Sequence, residues 1–197
     1  MKFSLKQLIN LKNKGKINKY FKNKGYDFRV TAYDINKIFR ECLNGTEVNK
    51  LKLFIEYVSM KNIEIDINEK DKNGNSPLIT ACDKNDITML TTIIGYANKI
   101  NIILKVNDTN KKNESSILWA YINDNIDIVK LLITYCEKHH IFLEFNKQNV
   151  WGNNPIIFAC SNNNMEMVNV LIDYATKSKV ILNLNVKMVG IHFYWPL

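Results

Sequence analysis

A 39-residue period runs through this chain. Tyr57, Tyr96, Tyr135 and Tyr174 keep it, as do Ile55, Ile94, Ile133 and Ile172, and a third series is Asn68, Asn107, Asn146 and Asn185. Pro77-Leu78, Ser116-Ile117 and Pro155-Ile156 stand at the same interval, each followed four residues after its first member by Ala81, Ala120 and Ala159. A catalytic constellation occurs once in a chain, whereas a recurring set of apolar, small and turn residues marks a unit that stacks on copies of itself. The chain therefore reads as a solenoid. Its length counts units and not globular domains.

With 197 residues and 46% hydrophobic content there is enough apolar material for a continuous core. No run of about 18 apolar residues is present, which disfavours a membrane-spanning helix. The stretch MKFSLKQLIN lacks an unbroken apolar region and a small-residue cleavage site. Secretion is thus not expected, and the leader also lacks the Arg and Ser enrichment of a transit peptide. Cys42, Cys82, Cys136 and Cys160 never form CxxC. Cys82 and Cys160 share one register of the repeat, and Cys42 takes the register of Ala81. They read as small semi-apolar residues at helix contacts and not as a disulfide framework. An intracellular, cytoplasmic location is expected.

The net charge of +8 is unevenly placed. Residues 1–30 carry Lys2, Lys6, Lys12, Lys14, Lys16, Lys19, Lys22, Lys24 and Arg29 against the single acid Asp27. Removing these from the 27 basic and 19 acidic groups leaves eighteen of each, so all the excess sits in the leader.

One unit, read from Asp71, begins with a turn. Lys72-Asn73-Gly74 needs the positive φ that glycine supplies. Ser76 can cap a helix and Pro77 fits its first turn, where no donor is lost. Leu78, Ala81 and Cys82 fall on one helical face, and Asn85-Asp86 end it. Ile87 to Asn98 predicts a second helix with Ile87, Leu90, Ile94 and Ala97 on its buried stripe. Ile102-Ile103-Leu104 and Val106 then carry the chain in extended form to Asn107 and the next tip. Asparagine occurs 29 times, so its abundance alone decides little. The strictly periodic series is different and is expected to tie each hairpin's backbone together.

The order of turn, SPL, short helix, Asn-rich break, second helix and a closing V-N resembles the ankyrin repeat. DKNGNSPL and NIDIVKLLI are close to that family's consensus stretches, and the resemblance covers about residues 32–185. It implies an all-α, ankyrin-like helix-turn-helix solenoid with hairpin tips between repeats. There are departures. The family's usual unit has about 33 residues, and these have 39. The extra six would lengthen the second helix by about 9 Å or build an added extended strip. The histidine of the family's T-P-L-H is replaced by Ile79, Leu118 and Ile157, so apolar packing should take over from its polar bond. In the second unit Asn113 and Ser116 replace Gly and Pro, which should make that tip the weakest.

The expected organisation is a basic, helical segment at 1–30, a degenerate capping unit at 31–70, and repeats at 71–109, 110–148 and 149–187. Residues 188–197 would start an incomplete unit, with Gly190 one residue early. In the capping unit Ile38 to Leu43 aligns with the first helices, and charged Arg40 and Glu41 take core registers. A polar terminal unit suits a cap.

No enzyme is expected. His139-His140 and His192 lack converging partners for zinc, and His139-His140 read as helix C-cap residues. No Ser-His-Asp or Cys-His arrangement can be nominated, and no glycine-rich phosphate cradle occurs. No cofactor or metal is called for. The resemblance implies partner binding through the tips and the concave first-helix face. The residues at those places are Lys72, Asn73, Asn75, Asp83 and Lys84, then Lys111, Lys112, Glu114, Ile122 and Asn123, then Val150, Trp151, Asn153, Ser161 and Asn162. Trp151 stands out as an exposed aromatic where its counterparts are Asn73 and Lys112; Trp119 shares a first-helix register with Thr80 and Phe158 and reads as packing. The partner is expected to be another protein. The alternative reading is an anion-directed binder using leader 1–30 against nucleic acid or an anionic membrane surface. Against it, Leu5, Leu8, Ile17, Tyr20 and Phe21 could simply pack onto the first unit.

Overall fold

The computed structural model describes residues 22–23, 35–45 and 48–183. The leader's other residues, Asn185, His192 and the incomplete unit at 188–197 lie outside the described residues. Among the described residues four helix pairs follow one another: α1 Ile35–Asn44 with α2 Val48–Lys61, α3 Pro77–Asp83 with α4 Ile87–Lys99, α5 Ser116–Ile122 with α6 Ile126–Lys138, and α7 Pro155–Ser161 with α8 Met165–Lys177. First helices pack on first helices (α1 on α3, α3 on α5, α5 on α7) and second helices on second helices (α2 on α4, α4 on α6, α6 on α8). The fold is an all-α solenoid.

Each boundary in the last three pairs is set by the same devices. Ser76, Ser115 and Asn154 cap the short helices by accepting from the backbone N–H three residues on. Asp86, Asn125 and Asn164 do the same for the long ones. The short helices end where Asn85, Asp124 and Asn163 turn left-handed, at φ 54°, 52° and 52°. The long ones end at Asn101, His140 and Lys179, again left-handed. There Ile102, Ile141 and Val180 donate back to Ala97, Cys136 and Ala175 at 2.8–3.0 Å, a hydrogen bond that closes off a helix end.

The six extra residues build the added strip and not only a longer helix. After Asn101 the chain runs extended through Ile102–Lys105, with Leu104 buried between exposed Ile103 and Lys105. The core is one continuous cluster from Ile35 to Tyr174. Met89, Leu90, Ile93, Ile94, Tyr96 and Ala97 form the buried stripe of α4. Ile87, expected on that stripe, is 39% exposed because it opens the helix on its outer side. Ile79 and Leu118 are buried where the family has histidine, and Ile157 is half-buried. In the first pair Phe39, Cys42 and Leu43 are buried while Glu41 is exposed. Arg40, in the register of Ile79, is half-exposed and forms an ion pair with Glu69.

The periodic tyrosines are buried, and Tyr96, Tyr135 and Tyr174 reach back to the preceding unit. Leu104 N–H donates to Tyr135 Oη at 3.0 Å, and Leu143 N–H to Tyr174 Oη at 2.9 Å. The periodic asparagines reach forward. Asn107 Nδ2 donates to Phe142 O at 2.6 Å while its Oδ1 accepts from Glu144 N at 3.0 Å. Asn68 holds Ile103 O and Lys105 N in the same way, and Asn146 holds Ile181 O and Asn183 N. The expected role inside the hairpin is thus corrected: these amides join one unit to the next.

Candidate protein-binding face

Each tip is folded by one side chain. Asp71, Asn110 and Asn149 accept from the backbone N–H groups two and four residues on, for example Asn73 and Asn75 on Asp71 Oδ1 at 2.8 Å each. Lys112 and Glu114 bond Asn110 Oδ1 at 2.9 and 3.0 Å, and Trp151 and Asn153 bond Asn149 Oδ1 at 3.0 Å each. Gly74 takes φ +83° at the tip of the first. Asn113 takes φ 57° in the same register, so the second tip closes without glycine. Successive tips touch through the backbone, Lys111 N–H donating to Asn73 O at 2.9 Å and Val150 N–H to Lys112 O at 3.0 Å. The result is a row of tips with their middle residues turned outward.

The nominated residues divide into two groups. Lys72, Asn73, Asp83, Lys111, Lys112, Val150 and Ser161 are exposed. Ile122, Trp151 and Asn153 are half-buried. Trp151 is therefore less open than its sequence reading implied, and Lys112 Nζ lies 5.3 Å from its ring centroid. An ammonium over an indole face is an attractive arrangement. Burial raises the carboxyls of Asp83 and Glu114, and Lys112 offsets part of that rise after Lys84 at Asp83 and the Asn110 hydrogen bond at Glu114. Lys112 thus lies at the junction of the second and third tips.

The second group serves the stack. Glu114 is only 4% exposed and accepts from Asn110 Nδ2 at 2.7 Å, so it presents no surface to a partner. Lys84, Asn123 and Asn162 occupy one register and bond backward to carbonyls near the end of the preceding short helix. Lys84 Nζ donates to Gly45 O at 2.9 Å, Asn123 Nδ2 to Cys82 O at 2.8 Å, and Asn162 Nδ2 to Tyr121 O at 3.4 Å. Asn75 Oδ1 accepts from Asn110 Nδ2 at 3.0 Å. Lys84 and Asn162 stay exposed while making these bonds, whereas Asn75 and Asn123 are half-buried.

Trp119 packs half-buried against the core, and its indole N–H is buried without a hydrogen-bond partner. His139 is the C-cap of α6, and His140 adopts the left-handed conformation after it. Among the described residues no three His, Cys, Asp or Glu side chains gather where they could hold a metal ion. Burial pushes the Cys42 thiol up to about 11 and that of Cys136 to about 12, and raises Cys82 further, so these thiols stay protonated near neutral pH. Cys160 departs from the expected helix-contact role by being exposed. No described helix is long and apolar enough to cross a membrane.

Residues 94–183 match a sequence-family description, ankyrin repeats in three copies. Residues 94–183 of the stack are ankyrin repeats. Ankyrin repeats are modules for protein–protein contact, and the two helices, outward tip and unit-on-unit packing seen here are the parts such modules use. No curated protein matches the chain.

Proposed function

We propose that this ankyrin array is a non-enzymatic module that binds a protein partner along its tips and the adjoining ends of the short helices. The observation that carries the reading is the division just described. The registers of Ser76, Asp86, Asn68 and Tyr96 are committed to caps and inter-unit bonds. The outward tip registers, exposed except at half-buried Trp151, differ between units, Lys72-Asn73 against Lys111-Lys112 and Val150-Trp151. Surface that stacking does not fix is free to encode a partner. Trp151, wide, apolar and braced by Lys112, has the character of an interface anchor.

The test is capture of partners by the intact chain, followed by calorimetry of a captured partner against Trp151→Ala and Lys112→Glu. Binding should weaken by about 2 kcal/mol with Trp151→Ala while far-ultraviolet dichroism stays unchanged. Undiminished affinity in a folded Trp151→Ala protein contradicts the reading.

The charge partition supports a second reading, in which the leader 1–30 contacts nucleic acid or an anionic membrane surface. Deleting residues 1–30 should abolish salt-dependent binding to RNA, DNA and anionic vesicles. Binding that survives the deletion removes this reading and leaves the first intact.

A further inference from the structure

The added strips present a second exposed feature, far along each unit from its tip. Alternation along an extended segment sends every second side chain outward. Ile103 and Lys105, Phe142 and Glu144, and Ile181 and Asn183 are the outward pairs. Ile103, Phe142 and Ile181 are 56%, 51% and 87% exposed, and they stand 39 residues apart. They form one apolar ridge across three units. Large apolar side chains repeated in register at the surface call for a partner more than scattered ones do.

The surroundings of the ridge say what kind. The helix ends and strips of these three units carry Lys99, Lys105, Lys138, Lys147, Lys177 and Lys179 against Glu137 and Glu144, with Glu64 and Asp66 on the strip of the preceding unit. Glu137 is already paired with Lys177, and Glu144 with Lys147. Lys99, Lys138 and Lys177 close the three long helices, where the helix dipole favours a cation. Lys99, Lys105, Lys138 and Lys179 have no carboxylate partner among the described residues. Because residues 31–197 are balanced in charge as a whole, this is a local excess of positive charge flanking an apolar line.

We infer that the ridge docks an extended, acidic segment of another protein that carries an apolar residue at every third position. The spacing follows from the packing of the units. Helices in contact lie about 8–10 Å apart, so the ridge residues recur at about that distance. A polyproline-II segment rises about 3.1 Å per residue with three residues per turn, and so presents one side chain to the same side every 9 Å or so. Strand addition is disfavoured here. Ile103 O and Lys105 N are held by Asn68, and Leu104 N by Tyr135, so the strip has little free backbone to offer. Recognition falls to side chains, which suits a ligand whose own backbone needs no partner.

The probe is a fluorescein-labelled peptide of four Leu-Pro-Glu triplets, titrated into the intact chain and followed by anisotropy. Saturable binding that weakens with salt is expected. Phe142→Ser and, separately, the pair Lys99→Glu and Lys138→Glu should each weaken it about tenfold or more, with unchanged helicity. The charge-reversed pair touches only exposed side chains, so it remains decisive if Phe142→Ser disturbs folding. Trp151→Ala should leave peptide binding unchanged, which separates this ridge from the tip surface. Absence of binding, equal binding of a scrambled peptide of the same composition, or indifference to both sets of substitutions overturns the inference. So does Phe142-dependent binding to vesicles of phosphatidylcholine and phosphatidylserine without binding of the peptide, since the occupant is then a lipid surface.

Discussion

The backbone N–H of Leu104 donates to the hydroxyl of Tyr135 at 3.0 Å, from one repeat into the body of the next. On either side of that bond, Ile103 O and Lys105 N are held by Asn68 of the preceding repeat. One short strip is therefore gripped by both neighbours, with side chains standing in for the backbone ladder that a sheet would supply. The arrangement recurs at Leu143, held by Tyr174, with Asn107 holding Phe142 and Glu144. Lengthening the repeat from the usual size thus adds a third element to each layer together with the side chains that fasten it.

Tyr135→Phe tests the grip from the following side. It keeps the ring in the core but leaves a buried N–H without its acceptor, which costs about 1–3 kcal/mol. Urea unfolding should show that loss. A loss below a few tenths of a kcal/mol would mean the hydroxyl bond contributes little.

Asn107→Ala tests the grip from the preceding side. Both groups it releases, Phe142 O and Glu144 N, lie on exposed residues where water can replace the amide. The expected cost is therefore lower, about 1 kcal/mol. Asn169, exposed in α8 and outside the periodic series, makes no hydrogen bond among the described side chains, and Asn169→Ala should be neutral or stabilise by a few tenths of a kcal/mol through helix propensity. Equal effects at the two positions would show that period does not mark the structural asparagines.

Two glycines should respond in opposite directions to alanine. At Gly74, φ is +83° and an added Cβ would stand 3.0 Å from the Lys111 backbone nitrogen. Gly74→Ala should destabilise by about 1 kcal/mol or more, and by more than an unfolded-chain entropy gain can offset. At Gly95, inside α4, an added Cβ meets nothing within 4 Å. Gly95→Ala should stabilise by about 0.5–1 kcal/mol. Thermal melts of the two variants, shifted to opposite sides of the parent, are the expected result.

Glu114 gives the array a pH dependence whose direction is fixed. Burial, the largest influence, raises its carboxyl above the ordinary value, against the hydrogen bond from Asn110 and the charge of Lys112, which lower it. The folded state then holds a proton that the unfolded state releases at lower pH. This contribution is fully present below the unfolded value, and stability falls as pH rises through the window up to the folded one. Glu114→Gln removes the ionisation and keeps an acceptor for Asn110. Its stability relative to the parent should therefore improve between pH 4 and pH 7 by denaturant titration; a constant difference across that range contradicts this account.

Much of the architecture could be read from spacing alone. Caps at Ser76 and Asp86, the core face of Leu78, Ala81 and Cys82, and the extended run after the second helix all follow from local chemistry repeated in register. The direction in which a periodic polar side chain points could not be read that way. Lys84, Asn123 and Asn162 have the polarity and loop position of surface residues, yet they bond carbonyls about 40 residues back. Glu114 was hidden for a similar reason, since its burial depends on the folded tip beside it. The left-handed series Asn101, His140 and Lys179 was obscured because its residue types differ while the backbone does not. The outward ridge did have a signal, alternation within the strip combined with the 39-residue interval at Ile103, Phe142 and Ile181.

Amide hydrogen exchange at Leu104 and Leu143, measured residue by residue in the parent and in Tyr135→Phe, tests the stacked-strip arrangement most directly. Both amides should be strongly protected in the parent, with protection lost at Leu104 and retained at Leu143 in the variant. Rapid exchange at Leu104 in the parent, or equal loss at both amides in a variant whose overall stability is unchanged, would contradict it.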